Sequence, residues 1–139
     1  MTIEETLKEM FKAHRCEETR RRLDDGLADL LRGKKEDALQ RFSELVQDEP
    51  TYAEAHNKKS TCHYMLGQTA ESIEAAQASL HLAPLNFQAL SGLGLCQYES
   101  REYQLAADSF RKSLLINPWS PIACKYAACV DLLAKIDTA

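Results

Sequence analysis

The chain has 139 residues, 45% hydrophobic and 27% charged, a balance that suits one soluble domain with a continuous core and excludes a disordered chain. A formal net charge of −4 argues against a nucleic-acid partner, because such proteins carry a basic patch or stripe. No stretch approaches the ~20 apolar residues of a spanning helix, so membrane insertion is not expected.

At the N-terminus, Ile3, Leu7, Met10, Phe11 and His14 fall at i, i+4, i+7, i+8 and i+11, which predicts an amphipathic helix over residues 3–17. Thr2 followed three residues later by Glu5 is a capping box that would start it. The first ten residues are acidic and lack the basic and apolar regions of a secretory signal. Arg20, Arg21 and Arg22 form the one basic run; with Glu17, Glu18, Asp24 and Asp25 around it, it reads as a solvated helix face. A helix over about 20–32 ends at Gly33, a residue suited to a left-handed cap. The next, over 35–48, presents Ala38, Leu39, Phe42, Leu45 and Val46 on one face. Helices are expected over 53–66, ending at Gly67, and over 69–82, burying Ile73, Ala76, Leu80 and Leu82. Two more cover 87–99 and 103–116, the second with Tyr103, Ala106, Ala107, Phe110, Leu114 and Ile116. The last, 121–136, begins at Pro121, where a missing N–H costs little. Short connections make neighbouring helices antiparallel.

Pro50, Pro84 and Pro118 recur at intervals of 34 residues, each just after a helical pattern that a proline cannot continue. A fixed period of this size marks a stack of helix–turn–helix repeats. In that frame Gly26, Ser60 and Gly94 share one small place in the first helices, where two helices approach closely. Ala38, Ser72 and Ala106 share the small place in the second helices, and Phe42, Ala76 and Phe110 the larger packing place. Gly33 and Gly67 share the turn, where the third repeat has Arg101. These places resemble those of the tetratricopeptide repeats over residues 19–136. The repeats run about 19–52, 53–86 and 87–120, with a capping helix at 121–136; residues 1–18 form the N-terminal amphipathic helix and 19–139 the repeat domain. A narrower likeness, carried by YAEAHNKKST (52–61) and FQALSGLGL (87–95), is to small stand-alone tetratricopeptide proteins of bacteria and organelles. The corresponding strings there read approximately AEAWNKRAT and HFGALSGLG, so His56 stands in place of the tryptophan. The bacterial members are often exported, whereas no signal is seen here.

The resemblance implies an all-α, right-handed superhelix whose first helices line a concave groove. It also suggests a clamp for the C-terminal carboxylates of chaperone tails, which needs cations and amides at five places. Those places hold Leu23, Leu27, Lys58, Gln88 and Gly92, so no clamp is expected. The groove places instead carry Leu23, Leu27, Leu30 and Leu31, then Asn57, Lys58, Thr61, Tyr64 and Met65. Further along come Gln88, Ser91, Leu95 and Tyr98, then Lys125 and Tyr126. Leaving several leucines wet forgoes about 1.5–3 kcal/mol each, so something should cover them. The N-terminal helix, through Leu7, Met10 and Phe11, is one cover; a partner's amphipathic helix or extended segment is the other. With the first repeat covered, the candidate open groove is Asn57, Lys58, Thr61, Tyr64, Gln88, Ser91, Leu95, Tyr98 and Tyr126.

The last helix is unusually apolar for a cap. Ile122, Cys129, Leu132, Leu133 and Ile136 either pack on the third repeat or, with Trp119, form a homodimer or assembly face. Trp119 is expected to be either an anchor there or packed back on Phe110 or Phe87. Five cysteines at irregular spacing make a poor disulfide framework and fit a reducing compartment, the cytoplasm or an organelle interior. Cys62 and Cys96, 34 apart, should fill the same small buried place. No metal site, cofactor or catalytic set is expected. The chain therefore reads as a non-enzymatic module whose groove binds a peptide or helix of another protein. The alternative is a structural subunit of a larger complex, or a homodimer, held through its apolar terminal helices.

Overall fold

The structure, a computed structural model, describes residues 1–137, and all regular structure among them is helical. Seven helices follow in order: α1 Ile3–Leu31, α2 Lys35–Asp48, α3 Ala53–Met65, α4 Thr69–Leu82, α5 Phe87–Glu99, α6 Tyr103–Ile116 and α7 Pro121–Asp137. Each packs against the next in sequence, and α1, α3, α5 and α7 also touch in succession, whereas α2, α4 and α6 do not. The stack therefore curves with its odd-numbered helices on the inside.

The prolines act as the frame requires. Glu49, Ala83 and Asn117, the residues before them, leave the helical region with ψ of 71°, 82° and 99°, because a following proline ring crowds the α conformation. Each turn is closed by one backbone bond: Tyr52 N–H to Glu49 O at 3.1 Å, Asn86 N–H to Ala83 O at 3.2 Å and Ser120 N–H to Asn117 O at 3.0 Å.

The turns within repeats are also alike. Gly33 and Gly67 adopt φ of 77° and 74°, and Arg101 adopts 61°. In all three the following residue donates to the carbonyl five residues back, Lys34 to Asp29 O (2.8 Å), Gln68 to His63 O (2.8 Å) and Glu102 to Gln97 O (2.9 Å), the Schellman closure of a helix. Arg101 alone carries a Cβ in the left-handed region, where it is disfavoured. Arg101→Gly is expected to stabilise the chain by up to about 1 kcal/mol, read as a higher urea midpoint; an unchanged or lower midpoint would mean the arginine side chain compensates.

One expectation is corrected. Residues 3–17 and 20–32 are not two helices but one, α1, opened by the expected capping box: Glu5 N–H donates to Thr2 Oγ1 at 3.2 Å and Thr2 N–H to Glu5 Oε2 at 2.8 Å. Nothing between residues 17 and 20 breaks it, since Glu17, Glu18, Thr19 and Arg20 include neither glycine nor proline. A helix that does not break cannot fold back, so residues 1–18 project with every side chain exposed, Phe11 at 73%. The N-terminal helix therefore does not cover the leucines of the first repeat. Leu23 is buried with Phe42, Leu45, Ala55 and Cys62, with Leu27 and Leu30 packed beside it, and Leu31 stays exposed. Arg15, paired with Glu49 at 2.8 Å, ties the base of the projection to α2.

Candidate functional site

On the inner face, α3, α5 and the start of α7 enclose an open cleft of ≈ 560 Å³. Seven of the nine expected groove residues line it: Asn57, Lys58, Thr61, Tyr64, Gln88, Ser91 and Leu95. Met65 and Phe87 add apolar surface, and Pro121 and Ile122 supply the far wall. Ile122 was expected either to pack on the third repeat or to lie on an assembly face; a step of 34 from Gln88 lands on it, so the repeat frame held the signal. Tyr98 and Tyr126 do not line the cleft. They are half-buried in an aromatic cluster, 5.7 Å apart between ring centroids, with Tyr103 beside Tyr98 and Phe110 stacked on Tyr126.

Serines form the floor. Ser60 Oγ donates to Ser72 O at 2.7 Å and Ser72 Oγ to Ser60 O at 2.9 Å, which staples α3 to α4. Ser91, Ser113 and Ser120 bond mutually at 2.7–3.2 Å, joining α5, α6 and the turn before α7. Among the described residues, no side-chain nitrogen or oxygen that is sealed from solvent lacks a hydrogen-bond partner. The floor is thus rigid and its hydroxyls are committed to the fold.

Lys58 is the one ionised side chain on the lining, and it pairs with Glu54 at 3.3 Å, one turn away. Tyr64 donates to Glu99 Oε1 at 2.9 Å, bridging α3 to α5 at the rim. Burial, then that bond, pushes its hydroxyl up to about 12 from 10.0. Behind the cleft, Cys62 and Cys96 fill the expected buried place, and burial pushes the Cys62 thiol up to about 11 from 9.0. Both groups are held neutral by the fold, so their contribution is complete below the unfolded values and is lost as pH rises through the folded ones. Stability should accordingly fall from pH 9 to about 11 through Cys62 and from 10 to about 12 through Tyr64. Cys62→Ala should lessen the fall over the first interval by on the order of 2 kcal/mol, leaving what burial of the Cys96 thiol contributes, and Tyr64→Phe should lessen it over the second, in urea unfolding followed against pH.

On α7, Ala123, Val130 and Ala134 are buried against α6, while Leu132 and Ile136 are exposed at 61% and 63%. Cys129 is exposed and Leu133 half-buried. Trp119 is 85% exposed, so it does not pack back on Phe110 or Phe87. Among the described residues, no three His, Cys, Asp or Glu gather as a metal would need, and no helix is long and apolar enough to cross a membrane.

Known proteins agree with this architecture. The chain is 28% identical over 80 residues to the Protein SGT1 homolog of Bos taurus, covering 58% of this chain and 24% of that protein. It is 25% identical over 126 residues to Hsp70-Hsp90 organizing protein 1 of Glycine max, covering 82% and 22%. The chain thus spans about a quarter of each. Among solved structures, the first TPR domain of Spaghetti (RPAP3), bound to the HSP90 peptide SRMEEVD, superposes with a TM-score of 0.81 at 13% identity, covering 84% of this chain and 93% of that one. The second TPR domain of human RPAP3, in complex with the HSP70 peptide SGPTIEEVD, gives 0.74 at 15% identity, covering 79% and 92%. These likenesses show a shared right-handed superhelical fold. The tetratricopeptide repeat family model matches residues 23–86 and 66–120, more than half of the sequence; the chain belongs to the tetratricopeptide repeat family.

Proposed function

We propose that this protein is a non-catalytic interaction module whose cleft receives a peptide or helix of another protein. The observation that carries this reading is the convergence of Asn57, Lys58, Thr61, Tyr64, Gln88, Ser91 and Leu95 on one open cleft. Such a surface has apolar contact area and a few fixed polar groups to set orientation. The peptide-bound relatives of the same fold support the class of partner.

The cleft is proposed to lack a carboxylate clamp. Holding two carboxylates needs several cations or amide donors aimed together. Leu23 is buried in the core, Leu27 packs beside it, and Gly92 has no side chain, which leaves Lys58 and Gln88. The peptides SRMEEVD and SGPTIEEVD should therefore bind with dissociation constants above roughly 1 mM in calorimetric titration. Micromolar binding would restore the clamp. The low positive charge of the lining also speaks against nucleic acid.

The exposed apolar side chains at both ends favour a second reading, a subunit of a larger complex or a homodimer. Ile3, Leu7, Met10 and Phe11 on α1 and Leu132 and Ile136 on α7 are uncovered. Sedimentation of the wild type beside a Leu132→Glu, Ile136→Glu variant decides it: a wild type that is monomeric at tens of micromolar removes the homodimer. A reducing compartment, the cytoplasm or an organelle interior, is proposed because all five cysteines are free and two of them are buried as small apolar groups.

A further inference from the structure

Two features of the cleft have no role in the fold. The first is Gly92, in the interior of α5 and on the cleft lining. A Cβ built there meets nothing within 4 Å, and its φ is not positive. Glycine is a poor helix residue beside alanine because it loses the most backbone freedom on folding. The fold therefore bears a cost at residue 92 and gains no packing or turn in return. What glycine does provide is a bare stretch of helix surface that another backbone can approach closely.

The second feature is Asn57. It is 6% exposed and lines the same cleft, yet its carboxamide has no hydrogen-bond partner among the described residues. Its main-chain carbonyl is engaged, by Thr61 Oγ1 at 3.2 Å; the side chain is not. Since no side-chain nitrogen or oxygen sealed from solvent goes unpartnered among the described residues, the polar atoms of this carboxamide open into the cleft, where a ligand can reach them. A ligand that offers one acceptor and one donor side by side matches that carboxamide, and a peptide group does so with its C=O and N–H.

We propose that the cleft holds an extended peptide segment, with one main-chain amide paired to the Asn57 carboxamide and the adjoining backbone lying against Gly92. This rests on the groove reading above and specifies it. The cleft crosses from α3 over α5 to the first turn of α7. Two interhelical spacings of roughly 8–10 Å are covered by about five or six extended residues at ~3.3 Å each. Met65, Leu95 and Ile122 receive an apolar side chain of the segment. Lys58, the ionised side chain on the lining, is already paired with Glu54 at 3.3 Å, so the cleft suits a segment of low net charge.

The test uses random 12-residue peptides displayed on phage and selected on the whole chain, with the best-binding peptide then synthesised. Nuclear magnetic resonance should place it on α3 and α5. Gly92→Ala should raise the melting temperature by roughly 3 °C and yet weaken the peptide at least about tenfold. Asn57→Ala should weaken it about tenfold, and N-methylation should do the same at one interior amide and not at every one. A Gly92→Ala chain that melts lower would show that the fold itself needs the glycine, which overturns the proposal. If the peptide sits on α3 and α5 but both variants bind it within about twofold of wild type, the groove reading stands and this inference falls. If no selected peptide perturbs α3 and α5, both fall.

Discussion

Gly94→Ser is expected to destabilise the chain by about 1–3 kcal/mol or more, and to do so through a single ring. A Cβ at residue 94 comes within 2.7 Å of Phe110 Cε1, and the ring has nowhere to go because Phe110 is fully buried. The first repeat repeats the arrangement, with Gly26 at 2.5 Å from Phe42 Cε1. The middle repeat solves the same contact differently: Ser60 replaces the glycine and Ala76 replaces the phenylalanine. There the space left by the smaller pair is spanned by hydrogen bonds, Ser60 to Ser72, in place of the ring. Phe110→Ala alone should cost about 3–5 kcal/mol. The double variant Gly94→Ser, Phe110→Ala copies the middle repeat and should cost less than the sum of the two, with a coupling of about 1–3 kcal/mol. Urea unfolding of the four chains measures it, and strict additivity would mean that ring and glycine do not constrain each other.

Leu45→Ser should cost about 2–5 kcal/mol, although serine stands at the corresponding place of both later repeats. Ser79 Oγ donates to Ala53 O and Ser113 Oγ to Phe87 O, each at 2.9 Å. Both acceptors belong to the first residue of a helix, α3 and α5. In the first repeat α1 runs unbroken through the matching residue, Thr19, and the place is filled by Leu45, fully buried with Leu23, Phe42, Ala55 and Cys62. A serine there gives up that burial and brings a hydroxyl into an apolar cluster. A loss under about 1 kcal/mol would show that the hydroxyl finds a partner after all, and that burial of Leu45 matters little to the first repeat.

The site was partly legible. The strings 52–61 and 87–95, which carried the narrower likeness, fall on the two walls of one cleft, so helical period was enough to bring Asn57, Lys58 and Thr61 opposite Gln88, Ser91 and Leu95. Tyr98 was misplaced because period gives the face of a helix but not which neighbour competes for it; Tyr103 and Tyr126 draw its ring away. The serine floor was visible only as a series of small residues. That Ser91, Ser113 and Ser120 meet depends on three segments converging.

By itself the sequence determined the local frame: where helices end, which turns need a left-handed residue, and which small places face large ones. These follow from proline and glycine stereochemistry and from a fixed period, all of which act over a few residues. Only the tertiary structure decided that α1 continues through residues 17–20, that its apolar N-terminal stripe stands uncovered, and that Pro121 and Ile122 close the cleft. It also showed that Gly92 meets no neighbour and that the Asn57 side chain has no hydrogen-bond partner among the described residues. Those outcomes depend on what lies across a gap between helices, and no interval along the chain records that distance.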